Sequence, residues 1–285
     1  PELAIDRQHF VLNQMLSSKN ISQSDYNQAI NTPLKFSPME IEIQAPHFVM
    51  YVKDILVDQF GENLVNHGGL VVTTSLDLNL QKQLQALITT EVDRVSKLNI
   101  SNGAGIVTAP QTGEILAMVG SKDYFNISID GNVNLTTASR QPGSAIKPIN
   151  YALAFEKGAT PSARINDSPL TVHLPGSEPY SPKNYDGKYH GNITLKQALA
   201  SSYNIPSVLL VLRNGVNNFV TLAQEMGITT WGDPSRYGPS AALGSLEVKL
   251  TNLSQAYSTF ANSGVSTPLQ PIISIKDSKN KSLVF

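Results

Sequence analysis

The sequence predicts an α+β fold, preceded by a short N-terminal helical stub and a linker. Three observations carry that prediction. Residues 70–119 change period along their length, from a strand-like run to a helical stretch to two β runs around a turn. From residue 144 on, apolar residues recur at helical spacing through five segments. Residues 271–285 then return to strand character.

Residues 1–35 read as two short helices. Leu3, Phe10, Val11 and Met15 recur at helical spacing, and Ser22 followed by Asp25 has the form of a capping box. Pro33 ends the second helix. Residues 36–69 read as a linker: an alternating stretch at 39–44, then Pro46 opening an amphipathic helix (Phe48, Val49, Val52, Ile55, Leu56, Phe60) that Gly61 can cap. Residues 70–74 are strand-like. Residues 76–98 predict a long helix with Leu80, Leu84, Leu87 and Ile88 on one face. The runs 105–108 and 114–119 flank Ala109-Pro110-Gln111-Thr112-Gly113, which is hairpin-turn material. Residues 122–137 form an irregular polar loop. Helices are then predicted over 144–157, 194–201, 205–213, 216–226 and 249–263, with two closing strands around Asp277-Ser278-Lys279-Asn280.

Composition narrows the function classes. Twenty-one Lys and Arg against 22 Asp and Glu leave a net charge of −1, so the basic footprint of a nucleic-acid binder is missing. The absence of cysteine removes disulfides, thiolate metal sites and a Cys nucleophile together. The five histidines (9, 47, 67, 173 and 190) are scattered without zinc-ligand spacing, and read as core or surface residues. No purely apolar run exceeds the five residues of 208–212, far short of the roughly 20 a membrane helix needs. The chain opens on Pro1 with no basic-then-apolar leader, which suggests a targeting segment upstream.

Neither a G-x-S-x-G elbow nor a glycine-rich nucleotide loop occurs. What remains is a Ser-x-x-Lys, Ser144-Ala145-Ile146-Lys147. The motif alone decides nothing, because 29 Ser and 15 Lys in 285 residues give about 1.5 chance matches, and Ser278 to Lys281 is a second one. Ser-x-Asn, found at Ser18, Ser202 and Ser278, is no more specific. Context gives the first motif more weight. Ser144 opens a predicted helix after Gln141-Pro142-Gly143, where free backbone N–H groups favour developing negative charge. Lys147 follows one turn later on the same face. An ordinary lysine is protonated at neutral pH, so this one acts as a base only where burial or a nearby cation lowers its pKa. The alternative leaves Ser144 as a helix cap and Lys147 as a solvated side chain.

Longer strings separate the two. Arg140-Gln141-Pro142-Gly143-Ser144-Ala145-Ile146-Lys147-Pro148 resembles the nucleophile segment of the penicillin-binding transpeptidases. Asn184-Tyr185-Asp186-Gly187, Gly191 to Leu195 and Ala198 to Pro206 are similar to the segment leading into and through that family's second motif. Ala109 to Gly120 and Leu253 to Gly264 add further likeness, and the opening helical pair resembles the end of a glycosyltransferase lobe. The resemblance covers essentially the whole chain and points to the bifunctional class A penicillin-binding proteins. It implies a serine β-lactamase/transpeptidase-like fold, an antiparallel sheet flanked by helices, in three parts: 1–35 as the end of the glycosyltransferase lobe, 36–69 as linker and 70–285 as transpeptidase domain, C-terminally incomplete. It also implies roles. Ser144 is the acylated nucleophile, Lys147 its general base, and Ser202 and Asn204 relay protons and hold the substrate amide. The implied substrate is the D-Ala-D-Ala end of a peptidoglycan stem peptide, with β-lactams as mimics that stall the acyl-enzyme. No metal or organic cofactor is implied, and no nucleic acid. The implied location is the outer face of a bacterial cell membrane, held by an anchor upstream.

One departure matters. The family's third motif, Lys-Thr/Ser-Gly, does not occur; the nearest string, Gln111-Thr112-Gly113, lacks the lysine and lies in a hairpin turn. The segment carrying that motif is expected beyond Phe285, and the glycosyltransferase carboxylates upstream of Pro1. The missing strand would supply one oxyanion N–H, whose loss costs roughly 10²–10³ in rate. These 285 residues are therefore expected to lack the first activity and to have an incomplete site for the second. Two other readings stand beside the enzyme: a non-catalytic cell-wall scaffold or β-lactam sensor, and a β-lactamase. The last needs a positioned base for deacylation, for which the sequence offers no candidate.

Overall fold

A computed structural model describes residues 2–35, 43–173, 176 and 178–284, and the chain divides into two units, Pro1–Ile43 and Gln44–Phe285. In the first unit, α1 (Glu2–Ser17) and α2 (Gln23–Ile30) form the expected pair. The capping box closes as predicted: Asp25 N–H donates to Ser22 Oγ and Ser22 N–H to Asp25 Oδ2, each at 3.1 Å. Side-chain bonds tie the helices, Tyr26 hydroxyl to Asn13 Oδ1 at 3.0 Å and Gln8 Nε2 to the Ala29 carbonyl at 3.2 Å. No residue of either helix is buried. Most of the alternating stretch expected at 39–44 lies outside the described residues.

The second unit begins with α3 (Pro46–Phe60), entered through Ala45 in left-handed backbone and left through Gly61 at φ +80°. Its apolar stripe is not idle. Phe48, Val52 and Leu56 pack with Ile115, Met118, Ile272 and Ile275 in one hydrophobic cluster. From Pro46 on, the segment read as linker therefore supplies a core helix of this unit. A short α4 (Glu62–His67) leads to β1 (Val71–Thr74) and then α5 (Leu78–Arg94). Asp77 caps α5, accepting from the N–H groups of Asn79 and Leu80 at 2.8 and 3.1 Å. The helix is shorter than predicted. It ends at Arg94, and a 3₁₀ turn over Ser96–Leu98 closes on Asn99 in left-handed backbone.

The predicted hairpin is present as β2 (Gly105–Thr108) and β3 (Ile115–Val119), paired antiparallel with Gly105 opposite Val119. Buried Gln81 on α5 covers β3 by exchanging two hydrogen bonds with the Met118 backbone, at 2.7 and 3.0 Å. Next come α6 (Lys147–Glu156), β4 (Arg164–Asp167), β5 (Gly191–Thr194) and α7 (Leu195–Ala200). They are followed by α8 (Asn204–Asn214), α9 (Val216–Glu225), α10 (Leu250–Ala261), β6 (Ile272–Lys276) and β7 (Ser282–Leu283). Every strand pair is antiparallel, in the groupings β1-β6-β7, β2-β3 and β4-β5. The fold is α+β, as read. The sequence predicts no strand at β4 or β5, each of four residues and rich in Asn, Asp and Gly, a composition typical of turns.

A second cluster joins the helices: Ile146, Ile149 and Leu153 with Val211, Phe219, Val220 and Trp231. Buried amides lock α6 to α8. Asn150 Nδ2 donates to the Ser207 carbonyl at 2.9 Å, and Asn214 Nδ2 to the Asn150 carbonyl at 2.9 Å. This pair is the platform on which the motif residues sit.

Candidate active site

Ser144 and Lys147 do not share one α-helix. Gly143–Ile146 is a 3₁₀ turn, and α6 begins at Lys147 itself. In 3₁₀ geometry residues i and i+3 eclipse, so the two stay on one face, as the spacing predicts. Gly143 enters the turn at φ +56°. Gly244, also left-handed at φ +79°, lies against it so closely that a Cβ there would be 2.6 Å from the Gly143 carbonyl carbon. Two further contacts steady the turn: Tyr257 hydroxyl donates to the Ala145 carbonyl at 2.8 Å, and Arg140 and Val248 bridge antiparallel.

Lys147 is 1% exposed. Its Nζ donates to four acceptors, all on the 202–204 segment: the Ser202 carbonyl at 2.5 Å, Asn204 Oδ1 at 2.7 Å, Ser202 Oγ at 3.2 Å and the Tyr203 carbonyl at 3.3 Å. Burial pulls its pKa down from 10.5 to about 8. The solvated-lysine alternative does not describe this side chain. The structure thus gathers three of the four predicted residues, Lys147, Ser202 and Asn204, into one hydrogen-bonded group. Ser144 lies one turn before Lys147, exposed, with no hydrogen bond from its Oγ among the described residues.

The shape of the 202–204 segment explains the gathering. α7 starts on a Thr194–Gln197 capping box and ends in a Schellman motif: Tyr203 N–H donates to the Ala198 carbonyl and Ser202 N–H to the Leu199 carbonyl, each at 3.0 Å. That motif places Ser202 at the left-handed position, φ +55°, which glycine usually occupies. The left-handed backbone at Ser202 turns its carbonyl and hydroxyl together onto Lys147.

Residues missed in the sequence stand behind this group. Asn184, 5% exposed, accepts at Oδ1 from the N–H groups of Asn204 (2.8 Å) and Ile205 (3.3 Å), capping α8 from outside the helix. Fully buried Asp167 accepts from Asn184 Nδ2 and from His190 Nδ1, the latter at 2.6 Å. His190, read as an unremarked core or surface residue, stacks on Tyr203 with ring centroids 4.0 Å apart. The pairing of β4 with β5 sets Asp167 opposite Gly191 and so beside His190, an adjacency no local pattern announces. Among the described residues no group of three or more His, Cys, Asp or Glu side chains is placed to hold a metal ion. No described helix is long and apolar enough to cross a membrane.

The comparisons with known proteins agree with this fold. Residues 103–284 match the penicillin binding protein transpeptidase domain model, and the chain belongs to that family. Its class is shown by the relatives. Penicillin-binding protein 1B of Vibrio cholerae is 32% identical over 281 residues, covering 97% of this chain and 36% of the relative. Penicillin-binding protein 2D of Bacillus subtilis is 34% identical over 268 residues, covering 92% and 38%. The chain thus spans little more than a third of the length of these curated relatives. The crystal structure of penicillin-binding protein 1A from Haemophilus influenzae superposes with a TM-score of 0.78 at 22% identity, covering 98% of this chain and 55% of that one. That of PonA1 from Mycobacterium tuberculosis in complex with penicillin V does so at 0.69 and 22%, covering 85% and 65%. The resemblance to class A penicillin-binding proteins read from the motifs is borne out.

Proposed function

We propose that this chain carries the acyl-transfer site of a peptidoglycan D,D-transpeptidase that works through an acyl-serine on D-Ala-D-Ala stem peptides and binds penicillin covalently. The observation that carries the reading is Lys147, a buried lysine with a lowered pKa, bonded to Ser202 and Asn204 and one turn after an exposed serine. In its neutral form Lys147 accepts the Ser144 hydroxyl proton, with Ser202 Oγ as the relay at 3.2 Å. Ser144 Oγ bonds to the penultimate D-Ala carbonyl carbon, the C–N bond breaks, and the terminal D-Ala leaves with its nitrogen protonated. An amine of a neighbouring stem then attacks the ester, displacing Ser144 and forming the cross-link. Asn204 holds the stem-peptide amide.

On this reading residues 1–35 end a glycosyltransferase lobe, 36–69 connect, and 70–285 form the transpeptidase domain, outside the cytoplasm on a membrane-anchored bacterial protein. The four catalytic groups are Ser144, Lys147, Ser202 and Asn204. No Lys-Thr-Gly occurs in these 285 residues, so residues 1–285 alone are proposed to acylate slowly. The second reading is a non-catalytic scaffold or β-lactam sensor. Fluorescent-penicillin labelling of the full-length protein tests both. Labelling that Ser144→Ala abolishes supports the enzyme site; labelling that survives Ser144→Ala removes the assignment. A labelled protein that releases no D-Ala from a stem-peptide mimic supports the sensor.

A further inference from the structure

Asn184 uses its amide to capacity. Oδ1 accepts from the first two N–H groups of α8, while Nδ2 donates to Asp167 Oδ1 at 2.9 Å and Oδ2 at 2.8 Å and to the Lys188 carbonyl at 2.9 Å. A side-chain amide offers two donors and an acceptor with two lone pairs, so any other residue here leaves a buried group unpaired. The N-cap of α8, Tyr203, makes no side-chain bond to the helix. Asn184 therefore does from elsewhere in the chain what a capping side chain does locally.

Which way Asn184 faces is decided by Asp167. An ionised carboxylate only accepts, so it draws Nδ2 toward itself and leaves Oδ1 for the helix. Asp167 in turn holds His190, taking its backbone N–H at 3.0 Å and Nδ1 at 2.6 Å. The other ring nitrogen faces Asp186 Oδ2 at 3.1 Å, and the ring lies flat on Tyr203, 17° from parallel. Tyr203 is the residue between Ser202 and Asn204. The neighbour of Asn184 completes the clamp: the Lys183 carbonyl accepts from Asn204 Nδ2 at 2.8 Å, which leaves Asn204 Oδ1 pointing at Lys147.

We propose that Asp167, Asn184 and His190 are positioning residues for acyl transfer, fixing the first turn of α8 so that Asn204 and Ser202 meet Lys147. This rests on the Ser144–Lys147 reading above. None of the three touches the reacting atoms in that reading. Their effect passes through the α8 N-terminus and the Tyr203 ring.

The experiment compares full-length wild-type, Asp167→Asn, the reciprocal exchange Asp167→Asn with Asn184→Asp, and His190→Phe. An amide at 167 no longer dictates the orientation of Asn184, so its labelling rate with fluorescent penicillin should fall on the order of 10²-fold, the scale of an ångström-sized misplacement. The exchange restores a donor facing a carboxylate that still caps α8, and should recover most of the rate. A second readout is the Lys147 titration midpoint, followed by NMR of ¹³C-labelled lysine. Loss of the Asn204 acceptor lowers it in Asp167→Asn. His190→Phe keeps the stacked ring and the number of carboxylates, so a lowered midpoint there reports position rather than charge. It also serves if Asp167→Asn does not fold. A folded Asp167→Asn or His190→Phe with wild-type rate and midpoint overturns the proposal, as does an exchange that folds without recovery. A wild-type protein that is never labelled sinks the Ser144 reading instead, and the NMR midpoints still decide the positioning.

Discussion

Ser202 separates backbone strain from chemistry. It holds φ +55° at a helix end where glycine is the usual occupant, and its hydroxyl lies 3.2 Å from Lys147 Nζ. Two substitutions divide these properties. Ser202→Ala removes the hydroxyl and keeps the left-handed strain; Ser202→Gly removes both. Left-handed backbone costs a residue with a Cβ about 1–2 kcal/mol. Glycine returns about 0.4–1 kcal/mol of that through the greater freedom of its unfolded chain. The glycine variant should therefore be more stable than the alanine variant by about 0.5–1 kcal/mol, or about 1–4 °C in melting temperature for a unit of this size. Both lose the same hydroxyl, so their labelling rates with fluorescent penicillin should fall together, by on the order of 10²-fold or more. Calorimetry and timed labelling on the same preparations provide the two readings. An alanine variant that melts at or above the glycine variant would refute the strain argument. Clearly unequal labelling rates would refute the role given to the hydroxyl.

Other perturbations reach the same site from different directions. With the Lys147 pKa at about 8, its neutral fraction is about a tenth at pH 7 and about half at pH 8, so the acylation rate should rise roughly fivefold over that unit and level off above pH 9. A flat profile, or a midpoint near the ordinary lysine value, would show that Lys147 is not the base. Gly244→Ala drives a Cβ into the Gly143 backbone at a positive φ, which should cost about 2–5 kcal/mol from overpacking and left-handed strain together. Because Gly143 precedes Ser144, the nucleophile proposed above, labelling should slow even at temperatures where the variant remains folded. Unchanged melting and labelling would mean that the two glycines do not set the turn.

The parts of this site that are local in sequence were the parts that could be read. Ser144 and Lys147 lie three residues apart, and a spacing of three survives whether the turn is α or 3₁₀. Ser202 and Asn204 belong to one helix-to-helix junction, and their strings are long enough to be recognised. The sequence predicts α5 beyond its end, because Leu98 continues the apolar spacing while the backbone has already tightened past Arg94. β4 and β5 were invisible, because four-residue strands of Arg-Ile-Asn-Asp and Gly-Asn-Ile-Thr carry no alternation that separates them from loops.

That last omission hid the supporting shell as well. Asp167 and His190 are 23 residues apart and become neighbours only through the β4–β5 register, so His190 could be read only by its own surroundings in sequence, which are polar and unremarkable. Asn184, bonded to Asp167, meets the start of α8 through the N–H groups of Asn204 and Ile205. A buried carboxylate, a histidine and an amide that each satisfy the next are costly to assemble from distant segments, since every unpaired member would be a buried polar group without a partner. Each link of such a chain fixes the position of the next. Here the last member is Asn204, and what it meets is the buried amine of Lys147.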